Sequence, residues 1–309
     1  MTADPSVSED VDAMADSQAQ ARRRATHVAL DRTLELLPLF RLADSGEEDT
    51  SVLVLPNGSR WRVLPSPDDR LPGTFDQDAY VELMHRLQGA GHPEDGVVRF
   101  TLHAFLRAMG RKVDGRTYEQ LRAGLVRLER TTLEAIGHWA GDGMPATGAF
   151  TLLSGVVVER RRGQDREQLP LFGDLQSAEP GDARATVAFP VRSHMAAGML
   201  SHISLPLYRA VGSPVARRLY RLLAAVAAAA TDHDTALVPG AVERDEGQVR
   251  WTVPLEKLAE HLPLAQRYPS HRQRVLDPAH AVLLEAGIAE RALIRQDGKE
   301  WLAEYMLRT

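Results

Sequence analysis

The chain has 309 residues, 44% hydrophobic and 26% charged, with a net charge of −5 and no cysteine. That length suits two domains, each able to bury its own core, and the missing cysteine excludes disulfides, thiolate metal sites and a cysteine nucleophile. No apolar run has the length of a membrane span, the Ala-rich stretch 222–230 being the longest, and 1–24 lacks the basic-then-apolar order of a secretion signal, so a cytoplasmic protein with no membrane partner is expected.

Residues 1–27 read as a disordered tail, with five acids and no base before residue 17. Stretch 28–42 is a short apolar anchor interrupted by Pro38. Two alternating strands then flank Asn57-Gly58, a favoured two-residue hairpin turn. Tyr80, Leu83, Met84 and Leu87 give a helix over 76–87 with Asp76 as a cap.

Stretch 96–133 opens on Gly96-Val97-Val98-Arg99-Phe100-Thr101, followed by Leu102, Phe105, Leu106 and Met109 at helical spacing. A second helix carries Leu121 and Leu128 inward. Strands are expected at 133–139 and 149–160, around a wing tip at Gly141-Asp142-Gly143-Met144-Pro145. Stretch 163–183 reads as a linker, rich in Gly, Asp, Glu and Gln. Beyond it come a strand at 186–189, short helices at 192–200 and 205–211, and a long helix at 214–230 with Pro214 at its first position. That helix shows Val215, Leu219, Leu222, Leu223 and Val226 on one side and Arg217, Arg218 and Arg221 on the other. Stretch 231–247 reads as a charged loop.

The last stretch, 247–307, repeats the pattern of 96–133. Gly247-Gln248-Val249-Arg250-Trp251-Thr252 matches Gly96-Val97-Val98-Arg99-Phe100-Thr101, and Leu255, Leu258, Ala259 and Leu262 reproduce the helical spacing. A second helix carries Val275, Leu276, Ala279, Leu283 and Leu284, and Gly287 stops it. Strands at 288–295 and 300–307 flank Asp297-Gly298, a hairpin signal. Strand, helix, turn, helix, hairpin is the order of a winged helix, whose second helix enters the DNA major groove. The expected fold is α+β with two tandem winged-helix domains, 28–162 and 184–309, joined by the linker.

In the second domain Arg267, Tyr268, Ser270, His271, Arg272, Gln273 and Arg274 open the reading helix with no acid before Asp277. Such residues suit phosphate and base-edge contacts, Arg272 and Arg274 as forks for guanine or phosphate. Ser270 near a helix cap in a solvated first turn is the plainer alternative. Pro278 removes the amide bond to Arg274, so the first turns are expected to angle away from the core-facing half. Arg295 and Lys299 on the wing are further backbone contacts. In the first domain Arg111, Lys112, Arg116, Thr117 and Tyr118 hold the corresponding positions. The 34 arginines against Lys112, Lys257 and Lys299 also fit GC-rich coding, so arginine content alone is not counted.

The chain resembles the plasmid replication initiator protein A family, related to iteron-binding initiators with two winged helices. The resemblance lies in Leu37-Pro38-Leu39-Phe40, Arg62-Val63-Leu64-Pro65-Ser66, Leu71-Pro72-Gly73-Thr74-Phe75-Asp76, Gly115-Arg116-Thr117-Tyr118-Glu119-Gln120-Leu121-Arg122, Ser213-Pro214-Val215-Ala216-Arg217-Arg218-Leu219-Tyr220, and Tyr268-Pro269-Ser270 before Leu276-Asp277-Pro278-Ala279. It implies binding to direct repeats of a plasmid origin, recruitment of host replication proteins, and a homodimer that represses its own promoter. Two modules on one duplex face imply repeats of roughly 20 base pairs. Gln168, Leu169, Leu171 and Phe172 in the linker resemble the short peptide that docks on the bacterial sliding clamp, which would press its apolar side chains into a groove. A segment packed back on its own chain is the alternative.

Enzyme chemistry is not expected. Gly110 to Thr117 spells a phosphate loop except for Arg116 in place of lysine, but a helix precedes it rather than a buried strand. None of the eleven histidines stands two residues from another, so a His-x-His metal pair is missing. No catalytic residue, metal or cofactor is assigned. A transcriptional repressor with the same domains, or a partitioning adaptor, are the competing readings.

Overall fold

The computed structural model describes residues 26–42, 50–67, 69–136, 147–158, 182–245 and 247–308. The fold is a mixed α/β arrangement. Its strands are β1 (His27–Asp31), β2 (Ser51–Val54), β3 (Arg60–Leu64), β4 (Val97–Thr101), β5 (Thr132–Ile136), β6 (Thr147–Thr151), β7 (Leu153–Val158), β8 (Asp182–Val187), β9 (Leu200–Ser204), β10 (Ala241–Asp245), β11 (Gln248–Pro254), β12 (Arg291–Asp297) and β13 (Glu300–Arg308). Its helices are α1 (Arg32–Leu36), α2 (Thr74–Gly89), α3 (Leu102–Ala108), α4 (Gly115–Arg130), α5 (Phe189–Ala196), α6 (Leu205–Ala210), α7 (Pro214–Thr231), α8 (Leu255–His261) and α9 (Pro269–Glu285).

The repeat is present in the element order: β4-α3-α4-β5-β6 in one half, β11-α8-α9-β12-β13 in the other. Leu102, Phe105 and Leu106 are buried, as are Leu255, Leu258, Ala259 and Leu262. The sheets differ. In the second half β10, β11, β13 and β12 lie side by side, with Trp251 opposite Tyr305. Their rings stack at 5.4 Å, and the Trp251 indole N–H donates to the Pro239 carbonyl at 2.7 Å, which satisfies its one polar atom. In the first half the hairpin β5–β6 joins β2 and β3, while β4 pairs with β8, whose other edge takes β7. A further pair joins β1 to β9, from His27 opposite Ser204 to Asp31 opposite Leu200. Strands thus pass between the early and late stretches of the chain.

Several local expectations are corrected. Asn57-Gly58 does not make a two-residue hairpin. The Gly58 amide bonds the Leu55 carbonyl and the Leu55 amide bonds the Ser59 carbonyl, enclosing Pro56, Asn57 and Gly58. Pro56 fixes a negative φ at the first turn position, so only Gly58, at φ +84°, takes the left-handed region. Stretch 192–200 is not one helix; α5 stops at Ala196 and β9 starts at Leu200. Stretch 231–247 contains a strand, β10, held along β11 from Ala241 opposite Thr252. The polar face assigned to α7 is partly wrong. Arg218 and Arg221 are each 1% exposed.

Those two arginines explain the packing of the halves. α7 lies against α1, β9 and α9. The Arg221 guanidinium makes two 2.8 Å hydrogen bonds to the Glu35 carboxylate of α1. Arg218 donates to the backbone oxygens of Glu35, Leu37 and His261 at 2.9, 2.8 and 3.2 Å. Burial, then the nearby Arg221, pulls Arg218 down to about 10. Burial also works against the Arg221 charge, but Glu35, Tyr208 and Tyr80 together outweigh it and raise the group above its ordinary value. Arg218 thus stays protonated at neutral pH, and a buried cation with this many partners is tolerable.

Candidate nucleic-acid interface

The start of α9 is the most open basic surface among the proposed sites. Tyr268 is its N-cap, two residues before Ser270, and Pro269 takes the first helical position, where a missing amide costs nothing. Tyr268 makes no side-chain cap bond. Its ring is 66% exposed and meets His271 edge-on at 5.6 Å. Arg267, Ser270, His271 and Arg274 are exposed, and Arg272 and Gln273 are half-buried. Arg272 folds back to donate from Nε to the Gln266 carbonyl at 2.8 Å, which braces the preceding turn. Among the described residues no carboxylate pairs with Arg267, Arg272 or Arg274.

The opposite face of α9 is fixed. Leu276, Ala279 and Leu283 are buried. His280 is buried too, sharing a 3.0 Å hydrogen bond with the Tyr305 hydroxyl. Burial lowers His280 to about 4, partly opposed by Asp277, and raises Tyr305, so both are neutral at physiological pH. α9 runs through the exposed Pro278 to Glu285, and Gly287 at φ +66° follows as the expected stop, with the Ile288 amide closing onto the Leu283 carbonyl.

The wing residues stand differently. β12 and β13 meet with Asp297 opposite Glu300, so the hairpin tip is Gly298-Lys299, and Lys299 is exposed. Arg295 is bound to Glu304, and to Asp297 at 2.8 Å. Its availability for a phosphate therefore depends on leaving two carboxylates.

In the first half, Arg111 pairs with Asp78 and lies over the Phe75 ring, and Lys112 reaches Asp114 at 3.6 Å. Asp114 and Thr117 form a reciprocal cap on α4, and the Thr117 amide holds the Asp114 carboxyl below its ordinary value. Tyr118 is half-buried, 3.4 Å from His103. Arg116 alone of the five is exposed without a carboxylate partner among the described residues. Gly110 follows the end of α3 at φ +69°, as expected of a helix end and not of a phosphate loop after a strand. The wing tip 141–145 and the peptide Gln168, Leu169, Leu171 and Phe172 lie outside the described residues.

No cluster of metal-ligating side chains occurs among the described residues, and no helix of theirs is long and apolar enough to cross a membrane. What sequence reading missed is the set of buried ion pairs between the halves: their arginines read as surface residues and their carboxylate partners lie far away in the chain.

The architecture is similar to that of domains 2 and 3 of RctB. A crystal structure of their selenomethionine derivatives matches with a TM-score of 0.55 at 12% identity, covering 89% of this chain and 97% of that chain. A second structure of the same domains gives a TM-score of 0.46 at 11% identity, covering 90% and 97%. No curated protein matches the chain. The model of the replication initiator protein A family matches residues 31–169, and over this stretch the resemblance carried by 37–40, 62–66, 71–76 and 115–122 is borne out.

Proposed function

We propose that the chain is a non-enzymatic, sequence-specific DNA-binding initiator of plasmid replication, acting in the cytoplasm through two winged-helix modules. The single observation that carries this reading is the start of α9. Three arginines without carboxylate partners among the described residues, Arg267, Arg272 and Arg274, lie with Tyr268 and Ser270 at the start of a helix whose other face is locked against β13. The order β11-α8-α9-β12-β13 supports the winged-helix reading, and the family match supports the origin setting. In the first module Arg116 is the freest cation of the matching position. The modules span 28–162 and 184–309 in this reading, with β1 and β8 exchanged between them.

The repeats are roughly 20 base pairs, one module per helical turn. The exposed edge strand β2, with Val52 and Val54 46% and 55% exposed, supports a homodimer in a repressing form. The peptide at 168–172 recruits the sliding clamp. The test is selection from a random duplex pool, followed by titration of the enriched sequence. Enrichment of one motif, lost in Arg272→Ala and Arg274→Ala, is the expected result. No enriched motif, or unchanged binding by both variants, sinks the reading. A protein that binds its site but fails to sustain replication of a plasmid carrying it is a repressor instead.

A further inference from the structure

Between the halves a cleft of about 400 Å³ opens beside the α3–α4 turn. Two carboxylates of α2 line it, Asp78 and Glu82, with Arg107, Arg111, Arg209 and Arg217 around them. The carboxylates are 7% and 4% exposed. Asp78 accepts from Arg111 at 2.5 Å, from Arg217 at 2.7 Å and from the Tyr208 hydroxyl at 2.9 Å. Glu82 accepts from Arg86 and Arg209, each at 2.8 Å. Four guanidiniums therefore share two carboxylates. Arg107, exposed and without a carboxylate partner among the described residues, adds a fifth. The cluster holds five positive charges against two negative ones.

The donors are unevenly engaged. Arg217 engages each of its three nitrogens: Nε meets the Val211 carbonyl, and its terminal nitrogens meet Asp78 and the Arg209 carbonyl. Arg111 and Arg209 each commit one terminal nitrogen, although a guanidinium offers five N–H donors. Arg107 commits none. Clamping the halves needs the paired donors only and does not account for the unused ones, and the three arginines line a recess that focuses their field. Guanidinium forks of this kind match phosphate oxygens.

We propose that this cleft binds a phosphate-bearing anion through Arg107, Arg111 and Arg209. Arg107 and Arg111 come from the first half and Arg209 from the second, so the anion bridges the seam. The volume accommodates pyrophosphate or a nucleotide. A phosphate of the DNA backbone has the same chemistry, and the experiment separates the two sources.

The full chain is titrated by calorimetry with pyrophosphate and with ATP, and by fluorescence anisotropy with a duplex of unrelated sequence. The parent binds one pyrophosphate or ATP per chain. Arg107→Ala and Arg209→Ala weaken it about tenfold or more, as one lost charge-assisted hydrogen bond implies, and Arg250→Ala, outside the cleft, leaves it unchanged. If the free phosphates do not bind but the unrelated duplex binds about tenfold more weakly to the same two cleft variants alone, the anion is a backbone phosphate. The proposal is overturned if neither cleft variant differs from the parent in any titration, or if Arg250→Ala weakens binding equally. Both altered arginines are well exposed and Glu82 keeps Arg86, so unchanged circular dichroism melts are expected of the variants.

Discussion

Glu35 and Arg221 face each other across the seam between the halves, joined by two hydrogen bonds, with side chains 0% and 1% exposed. Arg218 also lies 3.7 Å from this carboxylate, so removing Arg221 leaves Glu35 with one cation, whereas removing Glu35 leaves both arginines without a carboxylate. Glu35→Leu is expected to destabilise the protein by about 3–5 kcal/mol, because it leaves two buried arginines without a carboxylate, and Arg221→Met by somewhat less, because Arg218 still faces Glu35. Urea denaturation measures both. A single-variant loss under about 1 kcal/mol, typical of an exposed pair, contradicts the buried pairing.

Acid sensitivity follows from two histidines. Burial lowers His261 to about 4, although its 2.6 Å bond with the Leu36 carbonyl works the other way, and burial lowers His280 to about 4 as well. An unfolded histidine titrates near 6.5. Below that value the unfolded chain takes up protons that the folded chain refuses. Their contribution is therefore complete above about pH 6.5 and lost as the pH falls towards 4, by up to roughly 3 kcal/mol each. His280→Gln should flatten this part of the stability-against-pH curve. An unchanged slope refutes the assignment for His280.

For DNA, Arg274→Ala should cost about 1–3 kcal/mol at a selected site if it reads a base, and should relax the preference there. If it meets only phosphate, affinity falls across all sequences and the salt slope shrinks by about one. Arg295→Ala should have the smaller effect, because Glu304 and Asp297 already engage its guanidinium. A larger loss for Arg295→Ala than for Arg274→Ala would make the wing, not α9, the main contact.

The linker peptide gives an independent test. Leu171→Ala with Phe172→Ala should abolish capture of the chain by purified sliding clamp while leaving DNA affinity unchanged. Equal capture of parent and variant, or none of either, removes the clamp from the proposal.

The legible parts of the chain share a property: their signal is local. Leu276, Ala279 and Leu283 mark the inner face of α9 by spacing alone, and the absence of acids before Asp277 marks its outer one. Gly287 ended that helix as expected because a left-handed residue is required there. Arg218 and Arg221 were misjudged because an arginine is buried only when something distant neutralises it, and Glu35 lies more than 180 residues away in sequence. β9 and β10 were missed for a similar reason. Leu200–Ser204 is too short to show alternation and takes its hydrogen bonds from His27–Asp31. Ala241–Asp245 is almost wholly exposed and is held by β11. Arg111 and Lys112 were assigned by correspondence with α9, and correspondence does not reveal Asp78 beside Arg111 or Asp114 beside Lys112.

The placement of β8 has a bearing on how the protein is made. β4 obtains its hydrogen-bonded neighbour from Asp182–Val187, and β1 obtains its own from Leu200–Ser204. A nascent chain that has emerged only to residue 162 can form α2, α3 and α4 but leaves β1 and β4 as open edges. The amino-terminal half is therefore not finished before the carboxy-terminal half begins, and long-range closure of this kind slows folding. The ribosome releases a pair of halves that complete each other, not two beads folded in turn.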